Sequence, residues 1–212
     1  CKVRENRGGT LYSLVYGRLI ARHVDPIEKK PLYHFMPGSR SYSIATPGCN
    51  FQCDFCQNWQ ISQTSINTEF EHLTFVDPGE VISDAQEKGC DNIAHTYTEP
   101  TIFMEYALDV ARRAQPEGLK NVFVTNGYQT PEAVAEMKGL IDAANVDLKA
   151  FTEEFYRKHC RARLQGVLDA IEALYEAGIH LEITTLVVPG QNDSEDELRG
   201  IDQFLHPARY RR

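Results

Sequence analysis

From about residue 42 onward, the chain alternates short apolar runs with longer segments in which apolar residues recur at helical spacing. The short runs predict five β-strands: Ser41–Thr46, Asn92–Thr98, Asn121–Thr125, Asn145–Lys149 and Leu181–Val188. The longer segments predict six helices: Val76–Lys88, Thr101–Gln115, Thr130–Leu140, Thr152–Lys158, Leu164–Ala177 and Ser194–Leu205. Regular alternation of strand and helix is typical of a parallel sheet built from βαβ units. The sequence therefore predicts an α/β fold.

The predicted strands end in polar or turn-forming residues, such as Thr98-Glu99-Pro100 and Thr125-Asn126-Gly127. In parallel α/β sheets, ligands bind at the carboxyl ends of the strands. We therefore expect the chemistry-bearing side chains of these strand ends to converge on one face.

The first 40 residues follow a different pattern. Leu11–Val24 alternates weakly and is rich in β-forming residues, and a loop with three prolines follows it. We interpret residues 1–40 as an N-terminal β-rich extension of a core formed by residues 41–212.

Composition and charge exclude several classes of function. Of 212 residues, 42% are hydrophobic, which is typical of globular proteins. Lys and Arg number 22 against 30 Asp and Glu, so the formal net charge is −8, which disfavours nucleic-acid partners. No apolar run approaches the roughly 18 residues of a membrane span, and the charged N-terminus is unlike a signal peptide. We expect a cytoplasmic protein without nucleic-acid or membrane partners.

Three of the six cysteines form a C-x3-C-x2-C pattern, with Cys49, Cys53 and Cys56 directly after the first predicted core strand. Three thiolates on one short loop can bind three irons of a [4Fe–4S] cluster and leave the fourth iron open. Zinc is the competing metal, although structural zinc sites have four protein ligands. A non-catalytic, zinc-binding interaction module therefore stays open as an alternative.

This pattern, with the aromatic Phe55 before the last cysteine, resembles the signature of the radical S-adenosylmethionine (SAM) superfamily. The wider segment 41–62 is similar to the radical SAM member of the AmmeMemoRadiSam system and to pyruvate formate-lyase-activating enzymes. Further matching stretches are Asp25–Phe35, Tyr97–Thr101, Thr125–Tyr128, Asn145–Phe151 and Val187–Asp193. The resemblance implies a partial (β/α)6 TIM-like barrel of the radical SAM type.

The resemblance also implies a reaction. In such enzymes three cysteines ligate three irons and SAM binds the fourth, and here the ligands would be Cys49, Cys53 and Cys56. One electron, from a reductant such as flavodoxin or ferredoxin, cleaves SAM to methionine and a 5′-deoxyadenosyl radical, which abstracts a hydrogen atom from the substrate. The cofactors would be a [4Fe–4S] cluster and SAM, and the enzyme would be oxidoreductase-like.

Two of the SAM contacts implied by the resemblance lie in the cysteine loop, and one lies at a strand end. Phe55 and Asn58 match the region near adenine, although Phe55 could equally pack in the core. Glu99 falls where the family has Gly-Gly-Glu, which holds the SAM amino group, and here Thr98 replaces a glycine. A carboxylate facing an ammonium group supplies the required charge pairing. The alternative for Glu99 is a role at the start of the next helix.

Three further SAM contacts lie at later strand ends. Asn126 could bind the ribose or the carboxylate of SAM, although Asn-Gly also forms turns unaided. Asp147 and Lys149 lie on the same face of a strand because side chains alternate with period two. By resemblance, Lys149 would pair with the SAM carboxylate or ribose region, whereas the alternative is an ion pair at the sheet edge.

The substrate is not readable from the sequence and could be a protein or a small molecule. One interpretation is activation of a glycyl-radical enzyme, and another is modification of a partner or metabolite connected with the AmmeMemoRadiSam system. Of the remaining cysteines, Cys90 is predicted to lie in the core, and Cys160, beside Arg157–His159, is a candidate redox thiol. The family extends beyond Cys1 and Leu205, so we expect the chain to be incomplete at its ends.

Overall fold

A computed structural model describes residues 2–64 and 73–206 of the chain, and a curved sheet lies at its centre. Cys1 and residues 207–212 lie outside the described residues, and so do the expectations about the chain ends that rest on them. The strands, in chain order, are β1 (Arg4–Arg7), β2 (Thr10–Ser13), β3 (Ala21–Pro26), β4 (Arg40–Ala45), β5 (Asn92–His95), β6 (Lys120–Thr125), β7 (Ala143–Asp147) and β8 (His180–Thr184).

Within the described residues, β1 and β2 form an antiparallel hairpin, and the other six strands form one sheet in the order β3-β4-β5-β6-β7-β8. Strands β4 to β8 are parallel and follow the chain order, as the alternating sequence pattern predicts. Strand β3 pairs antiparallel with β4 and comes from the region predicted as a β-rich extension. Strand β3 is therefore an antiparallel edge strand, which joins the five parallel strands in one six-stranded sheet.

Helices follow the parallel strands and cover the outer face of the sheet. They are α1 (Trp59–Ser62), α2 (Pro78–Glu87), α3 (Met104–Ala114), α4 (Pro131–Met137), α5 (Glu153–Phe155), α6 (Leu164–Glu176) and α7 (Glu195–Leu205). Asp77, Thr130 and Ser194 cap α2, α4 and α7 by accepting backbone N–H groups, as expected of these residue types. Within residues 2–64 and 73–206, no helix combines the length and apolar character needed to cross a bilayer.

Alternate residues along the strands pack on opposite faces of the sheet. Ile93 and Phe123 belong to the large core between the sheet and the helices. Their neighbours Ala94 and Val122 belong to a second, smaller cluster inside the curve. The other members of this inner cluster are Ile27, Leu32 and Ala143, with Phe35 packed against them. The segment that follows β3 therefore fills one part of the barrel interior with apolar side chains.

Several predicted elements have different bounds in the structure, and two strands and one helix also differ in local geometry. Strand β5 ends at His95 rather than Thr98, and two residues later Tyr97 adopts a left-handed backbone with φ of 66°. Strand β8 ends at Thr184 rather than Val188. The predicted helix Thr152–Lys158 is a single α-helical turn, α5, followed by a π-helical turn at Tyr156–Cys160. Apolar periodicity does not distinguish these local geometries.

The inner segment is tied to the last strand by one carboxylate. Glu182 of β8 accepts the backbone N–H groups of Tyr33 at 2.8 Å and His34 at 2.9 Å, and its Oε1 lies 3.1 Å from His180 Nε2. Burial works against the charged form, but these hydrogen bonds outweigh burial and lower the pKa of Glu182 to about 2.

We expect Glu182→Gln to cost about 2 kcal/mol of unfolding free energy at neutral pH, because two N–H groups lose a charged acceptor. A carboxyl with a lowered folded pKa contributes stability that is present above its unfolded pKa and lost as pH falls towards the folded value. The difference between wild type and variant should therefore shrink to about half or less at pH 3, as measured by urea unfolding.

Glu136→Gln, on the exposed face of α4, is the matched control and should change stability little at either pH. An equal effect of Glu182→Gln at pH 7 and pH 3 would contradict the assignment of the acid-dependent stability to this carboxylate.

Candidate functional site

A cavity of about 500 Å³ lies at the carboxyl ends of the parallel strands. Eight of the nine site residues predicted from the sequence line it: Cys49, Cys53, Phe55, Cys56, Asn58, Asn126, Asp147 and Lys149. These residues come from the loop after β4 and from the ends of β6 and β7. The strand ends therefore converge as the alternating sequence pattern predicts.

The three cysteines of the loop after β4 are half-buried free thiols. Cys49 Sγ accepts the backbone N–H of Phe51 at 3.3 Å, and Cys56 Sγ lies 3.2 Å from the Ser62 hydroxyl. The thiol of Cys53 faces Cys160, and this contact, together with burial, raises the pKa of Cys53. Each of the three sulfur atoms thus has a specific neighbour, and all three cysteines line the cavity.

These thiols have the donor chemistry of a [4Fe–4S] cluster, in which each thiolate binds a different iron atom. The donor set of Cys49, Cys53 and Cys56 suits three corners of a cluster with one iron left open.

The ninth predicted residue, Glu99, does not line the cavity. Its carboxylate is fully buried, and Oε1 accepts hydrogen bonds from Thr101 N at 3.0 Å and Thr125 Oγ1 at 2.7 Å. Oε2 accepts the backbone N–H of Asn126 at 2.8 Å. Burial raises the pKa of Glu99 despite these bonds. The carboxylate lies behind the cavity wall, where it fixes the end of β6.

Asn126 links the end of β6 to the cysteine loop. Its Nδ2 donates to Asn50 Oδ1 at 2.7 Å and lies 3.8 Å from Cys49 Sγ, while its Oδ1 accepts the Tyr128 N–H at 2.9 Å. The Asn50 amide in turn donates to the Tyr128 carbonyl at 3.0 Å. Asn126 is therefore both the turn residue that its Asn-Gly sequence suggests and a lining residue of the cavity.

Asp147 and Lys149 form an ion pair at the end of β7, with Lys149 Nζ 3.0 Å from Asp147 Oδ2. Burial disfavours the charged ammonium, but the Asp147 carboxylate and neighbouring groups outweigh it and raise the pKa of Lys149. Lys149 is thus a cation at the cavity wall.

Phe55 and Asn58 also line the cavity. The Phe55 ring packs 5.7 Å from the Phe155 ring, centroid to centroid, and one side faces the cavity. Asn58 Nδ2 donates to the carbonyl oxygen of Tyr97 at 3.2 Å. Phe55 therefore combines the packing and cavity roles that the sequence left as alternatives.

A buried charge network beside the cavity was not predicted. Asp25 Oδ2 accepts from Lys30 Nζ at 2.7 Å and from the Tyr97 hydroxyl at 2.6 Å, while Ser43 Oγ donates to it at 2.9 Å. Lys30 Nζ also lies 4.5 Å from the centroid of the Tyr97 ring. The signals that could have revealed it are the two adjacent lysines after Asp25 and a tyrosine in a motif that usually carries glycine.

This network holds two opposite charges out of water. Burial alone would raise the pKa of Asp25, but hydrogen bonds from Lys30, Tyr97 and other donors lower it well below its usual range. Burial lowers the pKa of Lys30, whereas the bond to Asp25 opposes that change. The same contacts secure the left-handed backbone of Tyr97, which is costly for a non-glycine residue.

Comparisons with known proteins show what this chain is similar to. A sequence model described as the Radical SAM superfamily matches residues 43–200. The chain is 40% identical to an uncharacterised protein of Methanocaldococcus jannaschii over 97% of this chain and 60% of that protein. It is 27% identical, over 76% of this chain and 66% of the relative, to a second protein of that organism, provisionally named a glycyl-radical enzyme activating enzyme.

The chain thus spans about two thirds or less of the length of these relatives. Among solved structures, a radical SAM methyltransferase from Sphaerobacter thermophilus superposes with a TM-score of 0.60 and 18% identity, covering 81% of this chain and 54% of that one. This likeness supports the partial barrel architecture.

We expect Asp25→Asn to lower the free energy of unfolding by about 3–5 kcal/mol, because the buried Lys30 ammonium loses its counter-charge. Lys29→Gln is the matched comparison: Lys29 Nζ contacts the same carboxylate at 3.0 Å, but its side chain is 66% exposed. Its loss should cost no more than about 1 kcal/mol in urea unfolding. Similar losses in both variants would contradict a special role for burial of the Asp25–Lys30 pair.

Proposed function

The chain belongs to the radical SAM superfamily, whose cofactors are a [4Fe–4S] cluster and SAM, and on this premise we propose that Cys49, Cys53 and Cys56 hold the cluster. When bound, the cluster supplies the electron that cleaves SAM reductively to a 5′-deoxyadenosyl radical for hydrogen abstraction from a substrate. The observation that carries this proposal is the convergence of the three thiols and five predicted SAM contacts on one cavity at the strand ends.

The cysteine loop is held in a shape suited to metal binding. The backbone N–H groups of Gln52 and Asp54 donate to the carbonyl groups of Cys160 and His159, both at 3.0 Å. These two bonds flank Cys53 and fix the loop against the π-helical turn. The backbone of the loop is therefore ordered before a metal binds, which lowers the entropic cost of cluster assembly.

We assign the polar lining residues to the charged and polar groups of SAM. The Lys149 ammonium pairs with the SAM carboxylate, and Asp147 and Asn126 offer acceptors and donors to the ribose hydroxyls. Phe55 and Asn58 lie along the adenine. Glu99 lies behind the wall, so its pairing with the SAM ammonium group stays a prediction, and its hydrogen bond keeps Asn126 in place.

The substrate is proposed to enter beside the Asp25 network. A second cavity of about 460 Å³ adjoins the first and shares Lys29, Asn58 and Tyr97 with it. A cavity of this size accommodates a small molecule or a short segment of a protein chain, and the relative provisionally named a glycyl-radical enzyme activating enzyme supports a protein substrate. Hydrogen abstraction from a glycine of a partner enzyme is therefore the leading candidate, with a small-molecule substrate as the second.

Membership of the AmmeMemoRadiSam group and the use of flavodoxin or ferredoxin as reductant stay predictions. They are tested by adding candidate reductants and partner proteins to the reconstituted enzyme under anaerobic conditions. Formation of 5′-deoxyadenosine identifies a competent reductant, and its isotope content with a deuterated partner identifies the hydrogen donor.

Anaerobic reconstitution of the wild-type chain should yield about four irons per chain and the visible absorption of an iron–sulfur cluster. Cys49→Ser, Cys53→Ser and Cys56→Ser should each lose most of this iron, because a serine hydroxyl is a poor ligand for the cluster. Cys90→Ser is the control, since Cys90 lies buried in the large core as predicted, and it should keep its iron.

One tightly bound zinc ion in place of iron, or no 5′-deoxyadenosine after reduction with dithionite and SAM, would overturn the proposal. Either result would favour the zinc-binding interaction module.

Lys149→Gln should raise the dissociation constant of SAM about tenfold, because a charge-assisted hydrogen bond of roughly 1.4 kcal/mol is lost. The measurement is equilibrium dialysis of labelled SAM against the reconstituted enzyme, with iron content determined in parallel. Lys158 is an exposed lysine of the π-helical turn, and Lys158→Gln should leave the dissociation constant of SAM unchanged. Unchanged SAM binding in Lys149→Gln with full iron content would remove Lys149 from the proposed site.

A further inference from the structure

Cys160 is a cysteine that the proposed cluster does not use. It ends the π-helical turn Tyr156–Cys160, is fully buried, and is followed by Arg161 in a left-handed conformation with φ of 57°. The sequence suggested that Arg157–His159 would activate this thiol, but the side chain is buried in the large core, where it faces Cys53 and the cation that acts on it is Lys149.

The backbone brings Cys53 and Cys160 together. Gln52 N donates to the carbonyl oxygen of Cys160 at 3.0 Å, and Asp54 N donates to the carbonyl oxygen of His159 at 3.0 Å. Cys53 lies between the two donors, so the strand-like pairing fixes it opposite the end of the turn. Cys53 also lines the cavity and is half-buried, whereas Cys160 lies behind it.

The other two loop thiols have different neighbours. Cys49 Sγ is 3.3 Å from the Phe51 N–H, and Cys56 Sγ is 3.2 Å from the Ser62 hydroxyl. The short spacing of Cys53 and Cys56 would by itself suggest a disulfide between these two residues. The Cys56 thiol, however, contacts the Ser62 hydroxyl rather than Cys53. The folded chain thus favours Cys160 as the partner of Cys53.

We propose that Cys53 and Cys160 are a thiol-modification site, which low-molecular-weight disulfides such as oxidised glutathione convert to an intramolecular disulfide when the cluster is absent. The inference rests on the proposed function, because it takes Cys53 as a cluster ligand. A bound cluster occupies the Cys53 sulfur and prevents the reaction. The disulfide in turn removes one of three iron ligands and blocks cluster assembly until it is reduced.

The reaction is a double thiol–disulfide exchange. The accessible Cys53 thiolate attacks one sulfur of oxidised glutathione, which breaks its S–S bond and releases one glutathione thiolate. The Cys160 thiolate then attacks the Cys53 sulfur of the mixed disulfide and releases the second glutathione. The two thiol protons pass to the released thiolates, so the protein loses two electrons and oxidised glutathione gains them.

Peptide mapping of the full chain before reconstitution tests the proposal. The reduced, cluster-free chain is treated anaerobically with oxidised glutathione, free thiols are alkylated, and the chain is digested with trypsin. Arg40 and Lys88 flank Cys49, Cys53 and Cys56, whereas Lys158 and Arg161 flank Cys160, so a bond to Cys160 joins two peptides. We expect the linked peptide, with Cys53 identified by fragmentation, to be at least fivefold more abundant than any other disulfide product.

Two variants sharpen the test. Cys160→Ser should give no linked peptide and accumulate glutathione on Cys53, because the second attack is missing. Cys90→Ser, which removes another buried thiol, should behave as wild type. In wild type, oxidation should reduce iron uptake on reconstitution at least fivefold, and dithiothreitol should restore it.

The inference would be overturned if the main product were a disulfide bond between two cysteines of the peptide of residues 41–88. A mixed disulfide with glutathione that persists on Cys53 in wild type would also overturn it. The reduced chain distinguishes this failure from failure of the proposed function. If the reduced chain assembles its cluster and cleaves SAM while no Cys53–Cys160 bond forms, only the modification site is wrong. If the bond forms but the reduced chain takes up no iron, the proposed function is wrong.

Discussion

The buried Asp25 carboxylate is the interaction on which the arrangement around the cavity depends. It joins β3, the neighbouring strand β4 through Ser43, the segment after β3 through Lys30, and the end of β5 through Tyr97. A buried ammonium group is tolerated only with a counter-charge and well-made hydrogen bonds. One charge pair therefore fixes the apolar segment inside the barrel and the backbone of Tyr97 at the edge of the site.

A second buried carboxylate, Glu99, fixes the part of the cavity wall formed by β6 and the cysteine loop. Glu99 follows Tyr97 by two residues and fixes Asn126 at the end of β6, and Asn126 contacts the cysteine loop through Asn50. Two sets of hydrogen bonds, joined by the chain from Tyr97 to Glu99, thus connect the wall of the cavity from β3 to β6. Because such sets are costly when only partly satisfied, the site has one favoured geometry before any cofactor binds.

The features predicted best from the sequence are those that depend on residues close together in the chain. The alternation of strands and helices identified the parallel core, and the spacing of Cys49, Cys53 and Cys56 together with the family resemblance identified eight residues of its cavity. The contact between Asp25 and Tyr97 spans 72 positions and leaves no periodic signal. Likewise, Glu99 was predicted from its match to a family motif, which does not reveal that the carboxylate is buried and accepts a hydrogen bond from Thr125 of β6. The antiparallel direction of β3 could not be read from β propensity, which carries no strand direction.

The sheet has two free edges among the described residues, β3 and β8, and the gap between them is bridged by side chains rather than by a strand ladder. Glu182 of β8 holds the backbone of Tyr33 and His34 across this gap. A closed barrel can change its circumference only by breaking a row of backbone hydrogen bonds. In this chain the contacts across the gap to β8 include those of the Glu182 carboxylate, so an ionisable group takes part in setting the circumference of the barrel.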